Sequence, residues 1–465
     1  MINNYNFING KWSKYKCSKY FVKNFKNIVV SSYPNSKDLI LKKALDSGIL
    51  SLKKNSFHKD KKKRIKALKQ IYDYLKKNKN EIIKAELSET GKKIEDVKNE
   101  IESGIKMWLH AAVSLEKINF EERIKKNNYK LIKSLEPIGL VALITPWNYP
   151  FIVVCERLPY IIASGCSVIL KPSEFAAASL KFIIDALIKS SAPNQIINLI
   201  YGKGNKIGKQ LSSSKLINMI SFTGSTNVAK KIIKSSNKNI KKFSLELGGK
   251  NPMIICESAD LNESVKCVKD NFLENAGQAC IAGSILYINS KVYNQTIKIL
   301  KSKFDIINKF QSPISSSRNR ALKSILKKTL KKGAKLTFGN KNDLKSKGPL
   351  TPYILENISE KNEIFTNELF GTILILKKFK KLDKLIDNLN QSQYGLACFL
   401  YTKNKKEKQL FTDKIRYGRT WINESLKYWN SYLPIGGFRN SGYGTETGLE
   451  GIKNYLVNKS IIIKE

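Results

Sequence analysis

Cys280 closes the stretch Glu274-Asn275-Ala276-Gly277-Gln278-Ala279-Cys280, a cysteine set just past a turn of small residues. A thiolate is an intrinsically good nucleophile toward a carbonyl carbon. Thirty-four residues earlier, Glu246 precedes two glycines in Glu246-Leu247-Gly248-Gly249-Lys250-Asn251-Pro252. A carboxylate held in a tunnel can take a proton from water and act as general base. A second reading stays open for the cysteine, which also packs as a small apolar side chain.

Other short segments offer binding chemistry. Lys171-Pro172-Ser173-Glu174 places a cation and a carboxylate at the end of an apolar run. The glutamate can accept hydrogen bonds from a ribose diol, which favours NAD over NADP, whose 2′-phosphate it would repel. An exposed salt bridge is the alternative. Gly202-Lys203-Gly204, followed by Gly208, and then Phe222-Thr223-Gly224-Ser225-Thr226 each end a strand and open a helix. Glycines there let backbone N–H groups approach a phosphate, and helix N-termini favour anions. Neither has the GxGxxG spacing of the standard dinucleotide fingerprint, and each is also readable as a plain strand-to-helix turn.

Composition narrows the remaining classes. The seven cysteines form no CxxC pair and the chain has two histidines, His58 and His110. A zinc site, a disulfide framework and a histidine triad are therefore not expected, and the simplest setting is a reducing cytoplasm. The histidines read as surface or packing residues. The net charge of +45 raises the prospect of nucleic acid. The lysines, however, run from Lys11 to Lys464 rather than forming one arm, so a solvated basic surface and no nucleic-acid partner are expected. Apolar runs such as Ile138 to Pro146 are far shorter than the roughly 20 residues needed to cross a bilayer. The first residues lack a basic segment followed by an apolar one, so no signal peptide and no membrane partner are expected.

The elements that must position these residues follow from periodicity. Leu41, Leu45, Ile65, Leu68, Ile71, Leu75 and Ile82 recur at helical spacing, so 36–114 reads as helical with a break at Gly91. The polar stretch 120–134 reads as a projecting arm. From Ile138 onward short apolar strands alternate with helices: strands at 138–144, 167–170, 196–201, 218–222, 252–256, 284–288, 336–338 and 372–376, with helices at 176–190, 258–275, 292–304 and 318–332 among them. That alternation predicts parallel α/β sheets, with ligands beyond the carboxyl ends of the strands.

The ordered set TPWNYP, KPSE, FTGST, ELGGKNP, NAGQAC, NELFG, WINES and PIGGFRNSGYG makes the chain resemble the aldehyde dehydrogenase superfamily over essentially its whole length. The resemblance implies two Rossmann-like α/β domains, one for cofactor and one for catalysis, plus a small β oligomerisation arm, in a homodimer or homotetramer. It places the cofactor domain at 1–118 and 138–247, the catalytic domain at 248–442, and the arm and tail at 119–137 and 443–465. By motif position it implies Cys280 as nucleophile, Glu246 as general base, and Asn148 with the backbone N–H of Cys280 as oxyanion donors. The cofactor, NAD with NADP as the alternative, is implied to meet Thr145, Trp147, Lys171, Ser173, Glu174, Gly204, Phe222, Gly224, Ser225, Leu247, Glu368 and Phe370.

Departures from the family pattern stand at Ile285, usually arginine, at Thr372, usually proline, and at Ala229, often glycine. Glu156 falls where the family lines its substrate tunnel. With the aromatic residues Tyr149 and Trp429, and others in Tyr428-Trp429-Asn430-Ser431-Tyr432, it would suit a cationic amino- or betaine-type aldehyde. Alternatively Glu156 pairs with Arg157 or a nearby lysine, and ordinary aldehydes are taken. Two rival functions remain: a CoA-acylating aldehyde dehydrogenase, a branch that generally lacks the glutamate base, and a non-catalytic basic binding protein.

Overall fold

The computed structural model describes residues 1–13, 17–54, 56–305, 311, 313–430 and 433–465. The chain forms two compact units: Met1–Leu245 with Ser431–Ile435 and Gly444–Glu465, and Glu246–Asn430 with Gly436–Tyr443.

In the first unit the strands Leu140–Ile144 and Ser167–Lys171 are buried at every residue. Such uninterrupted apolar runs suit the middle of a parallel sheet covered on both faces. The sheet runs Lys242–Glu246, Met219–Thr223, Leu140–Ile144, Ser167–Lys171, Ile197–Leu199, Asn6–Ile8, Lys11–Ser13. Its four central strands are parallel, and the two N-terminal strands add antiparallel. The predicted helical segment resolves into Asp38–Lys54, Lys61–Lys77, Lys79–Thr90 and Ile94–Glu116. Asp60 caps the second by accepting from Lys63 N, and Gly91 ends the third in the left-handed conformation.

The polar stretch forms strands, Glu121–Lys126 and Tyr129–Pro137, turning at Asn127 with φ 51°. The long strand also pairs antiparallel with Leu456–Lys464, from Pro137 opposite Leu456 to Tyr129 opposite Lys464. A further small sheet, Ile2–Asn3, Val29–Pro34 and Lys19–Lys23, has no counterpart in the sequence reading.

The second unit holds a seven-stranded sheet: Lys335–Phe338, Tyr353–Glu356, Ile373–Phe379, Gly283–Asn289, Asn251–Ile255, Ala397–Tyr401, Arg419–Ile422. All its pairs are parallel except the first. Alternate residues feed two cores. Ile254, Cys256, Ile285 and Tyr287 enter one, and Met253, Ile255, Leu286 and Ile288 enter the other, the two-residue period of a strand. Ile285 is thus a buried apolar packing residue at the position where an arginine was expected. Thr372 is buried with its hydroxyl toward Thr351 O, at 3.4 Å. Ala229 is buried in helix Thr226–Ser235. The helix expected over 258–275 spans Leu261–Leu273. Asp260 caps its start through Glu263 N, and a short 3-10 turn, Glu274–Gly277, follows its end.

Among the described residues no helix is long and apolar enough to cross a membrane, and no group of three or more His, Cys, Asp or Glu is placed to hold a metal.

Candidate active site

In the second unit Cys280 is half-buried at the end of a strained turn. Asn275, Ala276 and Gly277 have φ of 46°, 57° and 69°, three successive left-handed residues. At Ala276 that conformation costs about 1–2 kcal/mol, so the turn persists only because its surroundings hold it. Gln278 Nε2 donates to Asn275 O at 2.9 Å, and Gln278 Oε1 accepts from Ile314 N at 2.9 Å. Gln311 Nε2 donates to Asn275 Oδ1 at 2.7 Å. A methyl on Gly277 would lie 2.6 Å from the carbonyl carbon of Gly371, so only glycine fits.

Glu246, the last residue of its strand, is buried. Leu247 N donates to Ser441 O at 2.9 Å, so the chain leaves the strand in a fixed direction. Glu368 crosses this segment: Gly249 N donates to Glu368 Oε1 at 3.3 Å, and a methyl on Gly248 would lie 2.2 Å from Glu368 Oε2. Burial pushes the Glu368 carboxyl up to about 7, against the lowering effects of Gly249 N–H, Arg318 and Lys250. Burial also brings the Lys250 ammonium down to about 7, and its Nζ donates to Ile364 O at 2.8 Å. Phe370 has φ 54°, and Arg318 grips the loop by donating to the carbonyls of Leu369 and Phe370. Trp429 is half-buried, with the Arg419 guanidinium 4.0 Å over its ring. Ser431 and Tyr432 lie outside the described residues.

In the first unit, Thr145 N donates to Lys171 O at 3.2 Å, aligning the two strand ends. Lys171 is almost fully buried. Its Nζ donates to Pro172 O at 3.0 Å, and burial lowers its pKa to about 8 despite the Glu174 carboxylate. Gly204 N donates to Glu174 Oε2 at 2.9 Å. The structure therefore gathers Lys171, Glu174 and Gly204, with Ser173 Oγ accepting from Phe175 N beside them. Ser225 caps helix Thr226–Ser235 through Val228 N, directly after Phe222 and Gly224. A capped helix N-terminus suits a phosphate, and the carboxylate and ammonium at Glu174 and Lys171 suit a ribose.

Asn148 is buried, while Trp147 and Tyr149 are half-buried. The ammonium of Lys92 sits 4.0 Å over the Tyr149 ring and is ion-paired with Glu100 in a fully buried contact. Glu156 is buried and pairs with Arg157, whose Nη1 donates to Glu156 Oε2 at 3.3 Å. Of the two readings weighed for Glu156, the ion pair is present.

Sequence reasoning missed the residues that hold these segments. Glu89 accepts from Ala177 N at 2.7 Å, from Ala178 N at 2.8 Å and from the Tyr33 hydroxyl, tying down the segment after Glu174. Glu446 accepts from Ser244 Oγ at 2.6 Å and Tyr455 Oη at 2.8 Å, with Arg157 Nε 3.9 Å away. Burial raises the pKa of both carboxyls, and these donors oppose the shift. Their local sequences, Ser88-Glu89-Thr90 and Thr445-Glu446-Thr447, carry no signal that sets them apart from surface polar residues.

A parallel α/β sheet in each unit, with a helix-opening turn at Gly204 beside a buried lysine and a carboxylate, is a build that nucleotide-dependent oxidoreductases share. Residues 29–461 match the model of the aldehyde dehydrogenase family. Aldehyde dehydrogenase [NAD(P)+] 2 of Saccharomyces cerevisiae is 32% identical over 385 residues, 79% of this chain and 76% of that protein. Betaine aldehyde dehydrogenase of Bacillus subtilis is 29% identical over 412 residues, 85% and 84% of the two chains. Among solved structures, an NAD-dependent aldehyde dehydrogenase from Sinorhizobium meliloti superposes with a TM-score of 0.93 at 25% identity, covering 99% of this chain and 95% of that one. Betaine aldehyde dehydrogenase of Staphylococcus aureus in complex with NAD+ gives 0.94 at 26% identity, covering 100% and 95%. The chain belongs to the aldehyde dehydrogenase family, enzymes that oxidise aldehydes with NAD(P)+.

Gly277→Ala adds a methyl to a left-handed residue against the backbone of Gly371. It should destabilise the protein by about 2–4 kcal/mol, the left-handed cost plus overpacking, read as a lower urea midpoint. An unchanged midpoint would show that the turn relaxes freely.

Proposed function

We propose that this chain oxidises an uncharged aldehyde to its carboxylic acid, with Cys280 as nucleophile. The single observation that carries the proposal is the turn at Asn275–Gly277, which spends conformational energy to fix a half-buried cysteine. The Cys280 thiolate attacks the carbonyl carbon, forming a C–S bond and sending the carbonyl π pair to oxygen. The family resemblance assigns Asn148 Nδ2 and the Cys280 N–H as donors to that oxyanion, a role typically worth several kcal/mol. NAD(P)+, when bound, supplies the acceptor for the hydride, and oxidation leaves a thioester on Cys280. Glu246 then takes a proton from water, which attacks the thioester and releases the acid and the thiol. Lys171, Ser173, Glu174, Gly204, Phe222, Gly224 and Ser225 would hold the adenosine and pyrophosphate. By the family resemblance, Thr145, Trp147, Leu247, Glu368 and Phe370 are assigned to the nicotinamide end. The Glu174 carboxylate favours NAD over NADP. Glu246 also favours hydrolysis over transfer to CoA. The free cysteines fit a reducing compartment such as the cytoplasm.

Internal pairing supports the uncharged substrate. Three of the groups named for a cation already face one of the protein's own: Glu156 faces Arg157, Tyr149 faces Lys92 and Trp429 faces Arg419. A cationic aldehyde would have to compete with all three. The names of the betaine aldehyde dehydrogenase relatives favour that second reading.

Cys280→Ala should abolish NAD-dependent aldehyde oxidation while leaving NAD binding intact. Glu246→Gln should keep a burst of NADH and slow the following turnover at least tenfold. Steady turnover by Cys280→Ala refutes the mechanism, and acyl-CoA as the product redirects it.

For the substrate, kcat/KM for propanal should exceed that for betaine aldehyde and for succinate semialdehyde. A tenfold preference for betaine aldehyde would reinstate the cation reading.

A homo-oligomer is proposed as well, built on the small sheet whose edge strand Leu456–Lys464 exposes Ile462 and Ile463; exposed apolar edges seek partners. Light scattering should find a dimer or tetramer that Ile462→Lys shifts toward monomer. A monomeric parent would remove the idea.

A further inference from the structure

Asn251 opens the strand Asn251–Ile255, and its side chain is almost wholly buried. Its amide makes three hydrogen bonds. Nδ2 donates to Cys280 O at 2.7 Å and to Ala282 O at 2.9 Å, while Oδ1 accepts from Ala397 N at 3.1 Å. The Ala282 N–H donates back to Ala279 O at 3.0 Å, closing a turn around the cysteine. Both donors of one amide therefore point into the turn that carries Cys280, and its acceptor is anchored on the neighbouring strand.

We infer that Asn251 is a positioning residue for the thiol of Cys280. The inference rests on the assignment of Cys280 as nucleophile. Holding the carbonyl of Cys280 fixes the peptide plane that follows it. With the left-handed turn fixing the chain before it, Cys280 has little torsional freedom left. The direction of its Cα–Cβ bond and of its own N–H is set together. That coupling matters chemically, because the sulfur that attacks and the N–H that receives the oxyanion must face the same carbonyl group.

The amide is the group this position needs. Aspartate at 251 lacks donors and would set a negative charge against the Cys280 carbonyl oxygen and near the thiolate. Leucine would take the amide partner away from both carbonyls and from the Ala397 N–H. Serine keeps a single hydroxyl donor, enough for one of the two carbonyls.

The test uses the full-length enzyme and four measurements on Asn251→Ala, Asn251→Ser and Cys280→Ala. These are the NADH burst rate, the Kd for NAD+, the rate of alkylation of Cys280 by iodoacetamide followed by peptide mass, and far-UV circular dichroism. In Asn251→Ala the burst and alkylation rates should fall together by about 10- to 100-fold, with the Kd for NAD+ and the dichroism close to the parent's. Asn251→Ser should recover part of both rates. Parent-like alkylation and burst in Asn251→Ala overturn the inference alone, provided Cys280→Ala is silent. Loss of NAD+ binding and dichroism in both the alanine and serine variants also overturns it, because Asn251 would then support the fold at large. A burst surviving in Cys280→Ala overturns the nucleophile assignment and the inference with it.

Discussion

The second unit depends on a constraint of backbone geometry. Helix Leu261–Leu273 ends facing a chain that must double back at once, and it does so through left-handed residues at Asn275, Ala276 and Gly277. Asparagine and glycine adopt that conformation at modest expense, but alanine does not. The cost is held in place by neighbours that leave the turn nowhere to relax: the backbone of Gly371 against Gly277, the Gln278 side chain spanning to Ile314, and Gln311 on Asn275. A helix that ran on for another turn would satisfy local propensity and carry the thiol somewhere else.

The first unit meets the same need with buried charge. Glu89 and Glu446 are both nearly inaccessible, and burial alone would drive each toward its neutral form. Each is retained by several donors from separate parts of the chain. Glu89 joins a tyrosine of the N-terminal strands to the backbone after the Lys171–Glu174 segment. Glu446 joins the C-terminal segment to the strands carrying Ser221 and Ser244. Removing one partner from such a set leaves a buried charge or an unmatched donor, so these networks specify one arrangement rather than add much net stability.

Much of this was legible in the sequence. The strands from Ile138 to Phe222 and from Pro252 to Ile288 announce themselves as apolar runs of strand length between helices. The segment Lys171–Glu174 and the glycine turn at Gly204 were readable as a cluster because both follow strands. What escaped was the support. Asn251, Glu89, Glu446 and Arg318 act across gaps of 29 to 225 residues, and nothing in their local sequence distinguishes them from surface polar residues. The arm was legible only as polar. Its strands pair through backbone groups, and the solvated side chains of Glu121–Lys126 carry no two-residue alternation to betray them. Glu156 stood out as a specificity residue because the family resemblance puts its position on the substrate tunnel, with pairing to Arg157 as the alternative. The folded geometry pairs it with Arg157.

Burial has a further effect on Lys171 and Lys250. Burial lowers their pKa values to about 8 and about 7, so each holds more free amine near neutral pH than an exposed lysine does. A free amine is the form that condenses with an aldehyde to a Schiff base, the adduct an aldehyde-oxidising enzyme must not accumulate on itself. The burial that lowers the two pKa values also leaves each side chain almost without accessible surface. Reactivity and access thus move in opposite directions with depth, and any loosening that exposed either lysine before it regained its proton would open a route to self-modification by substrate.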